Sequence, residues 1–286
     1  LGQISQEQQL ASMATVGWLF ATVDRIASSV ASVEWTLHRR RRDGETEEVL
    51  DHPLLDLWAQ PNEFYDRTEF LEVAVQHFLL TGITYWVIVN NKGRTEFWPL
   101  RPDRVTPVPD PEKFLLGYLY RIGGKQEPFL AEDILYTRRP NPLDPYRGIS
   151  VVQAIFTDIE TERNAATWLR QFFFNSAEPG GIIKLPRELS DPEWQKFVAR
   201  WREQHQGTQN AHRVAILENA EWVDRRYTNR DMQMEQIRHL SKDIILGGFG
   251  MPQSILGIVE SVNRANAEAG EYVFAKWMIV PRLERI

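Results

Sequence analysis

Residues 148–175 read GISVVQAIFTDIETERNAATWLRQFFFN, and residues 228–249 read TNRDMQMEQIRHLSKDIILGGF. In the first stretch Val152, Ile155, Ile159, Ala166, Leu169 and Phe173 fall on one stripe at helical spacing, with Asp158, Glu160, Glu162, Arg163 and Arg170 off it. That pattern predicts an amphipathic helix of roughly 40 Å at 1.5 Å per residue. The second stretch repeats it with Met234, Ile237, Leu240 and Ile244, and Gly247-Gly248-Phe249-Gly250-Met251-Pro252 stops it. Two helical legs therefore flank the intervening residues.

Between the legs the pattern predicts a small α/β unit. Gly180-Gly181 opens it, Ile182 to Leu185 reads as a short strand, and Ser190-Asp191-Pro192-Glu193 caps a helix carrying Trp194, Phe197, Val198 and Trp201 on one face. Arg213 to Leu217 and Glu221 to Arg225 read as two further strands. After the second leg a polar loop surrounds Glu260-Ser261-Val262-Asn263-Arg264, and a new helical run starts at Ala265.

Upstream, Val16 to Trp35 reads as a helix running into a strand. Arg39 to Arg42 invites a nucleic-acid reading, but Asp43-Gly44 makes it a hairpin turn, with Glu45, Glu47 and Glu48 beyond. A solvated turn is the better reading, and a phosphate-contacting patch the lesser one. Asp66-Arg67-Thr68-Glu69 has capping-box spacing ahead of a stripe of Phe70, Val73, Ala74, His77 and Phe78 that stops at Gly82. His77 on that apolar face reads as a satisfied core histidine, since no second metal-type residue shares the face. Ile83 to Val89, Glu96 to Leu100, Leu116 to Ile122 and Ile134 to Tyr136 read as strands of an antiparallel sheet. Pro140, Pro142 and Pro145 forbid a helix or inner strand and place a boundary there.

Composition narrows the function. The 286 residues are 43% hydrophobic and 25% charged, ordinary for a globular protein, and large enough for one large or two small domains. The absence of cysteine excludes disulfides and thiolate metal sites, and the net charge of −6 argues against a globally basic nucleic-acid grip. No apolar run is long enough to span a bilayer, no secretory signal precedes the first apolar residues, and no internal repeat or low-complexity tract is present. Both ends fall within helical patterns, so we expect a piece of a longer chain.

Enzyme signatures are sparse. The GxxxxGK[ST], HExxH and GxSxG motifs do not occur, and Gly247 to Gly250 follows a helix rather than a strand, the wrong context for a dinucleotide fold. Ten tryptophans among many carboxylates would suit a monomeric carbohydrate-active enzyme or binding module. Core or subunit packing explains Trp168, Trp194 and Trp201 more simply. No cofactor or metal is expected.

The order of motifs carries a resemblance. Asn175-Ser176-Ala177-Glu178-Pro179-Gly180-Gly181-Ile182, Arg213-Val214-Ala215-Ile216-Leu217-Glu218 and Phe249-Gly250-Met251-Pro252-Gln253-Ser254-Ile255-Leu256-Gly257 resemble the HK97-type portal proteins of tailed phages and prophages. His52 to Trp58 with Pro61-Asn62, and Leu80 to Tyr85, look like the same family's early motifs. The resemblance implies an α+β portal-type subunit. Residues 1–147 would form a mixed α/β wing, 148–179 and 228–256 two stem helices, 180–227 a small α/β clip and 257–266 a tunnel loop. Residues 267–286 would start the helix toward a truncated crown.

It further implies a non-enzymatic ring of about a dozen copies at one capsid vertex of the virion, assembled in the host bacterial cytoplasm, with double-stranded DNA passing through. The terminase large subunit, capsid protein and head-tail connector would be partners, and no membrane is involved. Glu260, Ser261, Asn263 and Arg264 would face the channel, or form an ordinary solvated loop. Lys184, Arg187, Arg202 and Arg213 would contact partners, on a clip whose acidic and basic side chains are equal in number between Asn175 and Arg226. Trp168, Phe172, Phe173 and Phe174 would lie between subunits, or pack the leg against the wing. The legs balance Asp158, Glu160 and Glu162 with Arg163 and Arg170, and Asp231, Glu235 and Asp243 with Arg230, Arg238 and Lys242. Near-neutral legs suit a channel in which DNA must slide.

Overall fold

The computed structural model describes residues 4–174, 181–184, 190–205, 221–224, 230–258 and 264–285. The chain divides into a larger unit, Leu1–Ile159 with Asp243–Ile286, and a smaller one, Glu160–Lys242.

Helix α1 (Gln6–Ser12) starts in a reciprocal box, with Ser5 Oγ accepting from Gln8 N at 3.1 Å and Gln8 Oε1 from Ser5 N at 3.0 Å. Helix α2 (Gly17–Ala31) buries Leu19, Val23, Ile26 and Val30 at helical spacing. The strand expected to follow starts only at His38. Strands β1 (His38–Arg40) and β2 (Thr46–Glu48) form the anticipated hairpin, turning at Gly44 with φ +91°. Arg39 sits opposite Glu47, and Arg41 donates to the Glu47 carboxylate at 2.7 and 3.0 Å. The arginine run is thus faced by its own carboxylates.

Helix α3 (Pro53–Ala59) leads to Asn62, whose Nδ2 donates to Phe97 O at 2.7 Å while its Oδ1 accepts from Phe64 N and Tyr65 N. Asp66 then caps α4 (Arg67–Thr81) by accepting from Glu69 N at 2.9 Å. This helix is buried on two sides. Phe78 and Leu79 join the α2 core, while Phe70, Leu71 and Ala74 pack with Trp86. Gly82, at φ +79°, ends it in the left-handed conformation.

From Gly82 the chain enters β3 (Ile83–Asn91) and returns in β4 (Arg94–Leu100) through Lys92 and Gly93, both at positive φ. Alternation along β3 sends Ile83, Tyr85 and Val87 to one core and Trp86 to the other. Strands β5 (Val105–Asp110), β6 (Phe114–Ile122) and β7 (Lys125–Leu130) form a second antiparallel sheet, and β8 (Ile134–Arg138) returns to pair with β3.

The proline run, expected as a boundary, lies inside the larger unit. Its flanks are tied to the α4–β3 junction: Arg139 N donates to Gly82 O at 2.8 Å, Ile149 N to Arg139 O at 3.3 Å, and Ser150 Oγ to Leu80 O. The first leg then starts as α5 (Val151–Ala154), breaks at Ile155 (φ −108°, ψ 16°) and resumes as α6 (Phe156–Phe174). A continuous helix was expected; the break keeps Ile155 in the core with Val152 and Ile159.

In the smaller unit β9 (Gly181–Lys184) pairs antiparallel with β10 (Glu221–Asp224), and α7 (Asp191–His205) lies between them in sequence. The strand expected at 213–217 falls outside the described residues. Ser190 N donates to Glu193 Oε2 at 3.0 Å at the start of α7. On the α7 face expected to pack in the core or between subunits, Trp194 stacks on Phe197 at 6.3 Å and remains 53% exposed, while Phe197 and Val198 are half-buried.

The second leg is α8 (Arg230–Phe249). Its end is a Schellman motif, with Met251 N bonded to Leu246 O and Gly250 N to Gly247 O around Gly250 at φ +73°. A 3-10 turn (Gln253–Leu256) precedes α9 (Arg264–Val273), which passes through a π-helical stretch (Phe274–Ile279) into α10 (Val280–Leu283). Met278 and Ile279 close the main core beside Ile245, Leu246 and Phe249.

Candidate functional site

A side chain read as surface charge organises the legs. Glu162, counted among the polar positions of the first leg, is buried; its carboxylate accepts from Arg238 Nη2 at 2.8 Å and Arg238 Nε at 3.1 and 3.3 Å. This two-pronged grip joins the two helices within the smaller unit and raises the Arg238 pKa further, chiefly through the hydrogen bond. It also shows which side of α8 faces α6. With Arg238 turned toward α6, Ile237 and Leu240 are 40% and 62% exposed, and the buried positions near the leg's end are Ser241, Lys242, Ile245, Leu246 and Phe249. Of the stripe expected to face the core, Ile237 and Leu240 are thus exposed, whereas Met234 and Ile244 are half-buried, Ile244 against the main core. Spacing identified the apolar positions, and the Glu162–Arg238 contact together with the burial of Ile245, Leu246 and Phe249 marks the face that turns inward.

Other polar side chains on the legs pair locally: Arg163 with Glu160 at 2.7 Å, while His239 Nε2 lies 3.9 Å from Glu235 Oε1. Trp168 is half-buried on α6. Phe172, Phe173 and Phe174 belong to the same helix, with side chains outside the described set, as are those of Lys184 in β9 and Arg202 in α7. Arg187, Arg213, Glu260, Ser261 and Asn263 lie outside the described residues. Arg264 opens α9, its side chain likewise outside them.

Two clefts among the described residues do not resemble catalytic pockets. One of ≈ 490 Å³ is lined by Ser5, Gln9, Asn141, Asp144, Tyr146 and Arg147, and its carboxylate, Asp144, sits 3.8 Å from Arg147. The other, ≈ 510 Å³, offers Asp56 and Arg94 among Pro53, Leu54 and Leu57. Neither brings together the paired carboxylates that sugar hydrolysis uses. Among the described residues no group of three or more His, Cys, Asp or Glu could hold a metal ion, and no helix is long and apolar enough to cross a membrane.

His77 corrects one reading. It is buried as expected, but its Nδ1 has no hydrogen-bond partner, so it is not a satisfied histidine. Burial pushes its pKa down to about 4, with Asp103 opposing and Arg101 reinforcing that shift. The folded state therefore holds the neutral ring, while the unfolded chain takes up a proton near the ordinary pH of 6.5. Stability contributed above that pH is lost as pH falls from 6.5 toward 4, by about 3 kcal/mol at pH 4. His77→Leu should flatten this part of the profile. Denaturation at pH 7 and 4.5 tests it, and an unchanged pH difference would refute it.

A family model described as phage portal protein matches residues 18–286. A probable portal protein of Streptomyces phage phiC31 is 25% identical over 298 residues, covering 95% of this chain and 62% of that protein. Two solved neck structures of gene transfer agent particles share the fold. That of the empty particle, computed with C6 symmetry, is 26% identical at TM-score 0.74, over 99% of this chain and 79% of its own. That of the native particle, computed with C12 symmetry, is 24% identical at TM-score 0.70, over 98% and 77%. An HK97 family phage portal protein from Corynebacterium diphtheriae matches at TM-score 0.59 and 12% identity, over 96% and 85%.

Proposed function

Because this chain belongs to the phage portal protein family, we propose that it forms a closed ring of about twelve copies at a capsid vertex, through which double-stranded DNA is packaged and ejected. The carrying observation is the leg pair: with Arg238 of α8 joined to Glu162, Ile237 and Leu240 stay exposed. Ile237 and Leu240, three residues apart on α8, are neighbours on the helix surface, and adjoining exposed apolar side chains are what a contact surface is built from. In a head-to-tail ring each subunit offers two different surfaces, and closure covers both. The symmetry of the neck structures supports the same arrangement.

Within that reading, residues 148–179 and 228–256 serve as stem, 180–227 as clip, 1–147 as wing, 257–266 as tunnel loop, and 267–286 as the start of the crown-directed helix. Trp168 and Phe172 to Phe174 add to the subunit contact. Glu260, Ser261, Asn263 and Arg264 touch passing DNA weakly, because a loop that gripped phosphates would trap what it must release. Lys184, Arg187, Arg202 and Arg213 meet the terminase large subunit during packaging and a head-tail connector afterwards, and the wing side meets the capsid protein. The protein takes its place in the virion after assembly in the host bacterial cytoplasm. No catalytic step is assigned to it, and the two clefts give no support to the sugar-enzyme alternative.

Native mass and negative-stain imaging of the full chain test the ring, which should have a central hole as wide as a DNA duplex. Ile237→Asp with Leu240→Asp should leave folded subunits that no longer close. Rings persisting in that variant would remove α8 from the contact, and a wild-type monomer would overturn the ring itself. In assembled particles Arg264→Ala should keep the rings and alter DNA packaging or retention.

A further inference from the structure

Two unmatched charge clusters stand on the larger unit. The first is cationic. Arg139 is half-buried, its guanidinium 5.6 Å from the centre of the Phe78 ring. Arg285 Nη1 donates to Arg138 O at 3.3 Å, and Arg282 donates to Met278 O while its Nε is buried without a partner. Burial, then repulsion from Arg139 and Arg285, lowers the Arg282 pKa to about 10. Among the described residues no carboxylate pairs with any of these three. Close to Arg282 in sequence, Trp277 and Val280 are 65% and 45% exposed, and Lys276 lies 5.4 Å from the Trp277 ring centre.

The second cluster is anionic. Asp24 on α2 and Asp66, Glu69 and Glu72 at the start of α4 lie close enough that, after burial, the other three raise the Glu72 pKa. Arg25 and Arg67 share these helices but form no ion pair with the four. Phe20, one turn before Asp24, is half exposed. The acids occupy the N-terminal turns of α4, whereas Phe78, under Arg139, lies near its C-terminal end.

We propose that these two surfaces meet between neighbouring copies, Asp24, Glu69 and Glu72 of one subunit docking on Arg139, Arg282 and Arg285 of the next. This rests on the ring reading and gives it a specific wing-level contact. A half-buried guanidinium without a counter-ion is costly, and a carboxylate from outside relieves that cost. The composition fits, since arginine beside exposed tryptophan is a common interface anchor and Phe20 supplies an apolar counterpart. A second copy is the occupant because the complementary charge is carried by this same chain, on a different part of the unit, as a head-to-tail contact requires.

The chain has no cysteine, so Glu69→Cys with Arg285→Cys gives one defined cross-link. Treating the full-length double variant with a short bismaleimide should yield a ladder of covalent multimers ending at the mass of the ring, with neither single variant laddering. Rings of normal native mass without a ladder would overturn the contact and leave the ring reading intact. A chain that makes no rings before any substitution would overturn the ring reading instead. Arg282→Glu with Arg285→Glu should lower the ring fraction about tenfold, and adding Asp24→Arg with Glu69→Arg should recover it. Intact rings that instead lose a DNA mobility shift in the arginine variant would assign the cluster to nucleic-acid phosphate and refute the contact.

Discussion

Gly148→Ala is expected to destabilise the larger unit by about 4 kcal/mol, among the largest effects of a methyl group added to any described glycine. A Cβ at position 148 would stand 1.9 Å from Gly82 O and 2.4 Å from Gly82 C, both backbone atoms. Neither can swing aside. Gly82 ends α4 at φ +79°, its carbonyl accepts from Arg139 N at 2.8 Å, and its own missing Cβ would lie 2.3 Å from Ile149 O. The two glycines let the chain beyond the proline run press against the α4–β3 junction, and the bulk of one alanine would push the first leg off it. For a unit of this size the loss corresponds to a fall in melting temperature of roughly 10 °C. Gly17→Ala is the control, since nothing lies within 4 Å of its added Cβ. A melting temperature for Gly148→Ala within about 2 °C of the parent would contradict the packing described.

Arg238→Ala should cost the smaller unit about 3 kcal/mol, and Glu162→Ala distinctly less. The asymmetry follows from exposure, because the Glu162 side chain is 6% exposed and that of Arg238 40%. Removing the arginine strands a buried carboxylate, whereas removing the glutamate leaves a guanidinium that water can reach. Replacing both with methionine should recover much of the loss, since the penalty lies in the unpaired charge. Denaturant titrations of the parent, the two alanine variants and their alanine double form a double-mutant cycle, with the methionine pair measured beside it. Equal single-mutant costs, or a larger one for Glu162→Ala, would show that burial does not govern the pair.

Local signals carried much of the fold. Asp66 caps α4, Lys92-Gly93 turns the β3–β4 hairpin, and the arginine run folds back on its own acids, because each depends on neighbours within a few residues. The legs themselves were also legible from apolar spacing. What escaped was set by long-range partners. The facing direction of α8 shows in its contact with Glu162, distant in sequence, and the proline run stays attached through backbone hydrogen bonds at Gly82 that no side-chain pattern announces. The portal resemblance was legible in motif order, which the family match bears out. The arginines without a carboxylate partner were not, because that lack is a property of three-dimensional surroundings rather than of spacing.

The wide turns between Phe274 and Ile279 can be understood as an angular offset. A π-helical turn takes more residues than an α-helical one, so each residue advances through a smaller angle and everything downstream is rotated back relative to an uninterrupted helix. The helix beyond therefore keeps its length but changes its phase, and with it the compass bearing of every later side chain. Anyone trimming, fusing or transplanting this helix has to conserve the offset as well as the number of residues.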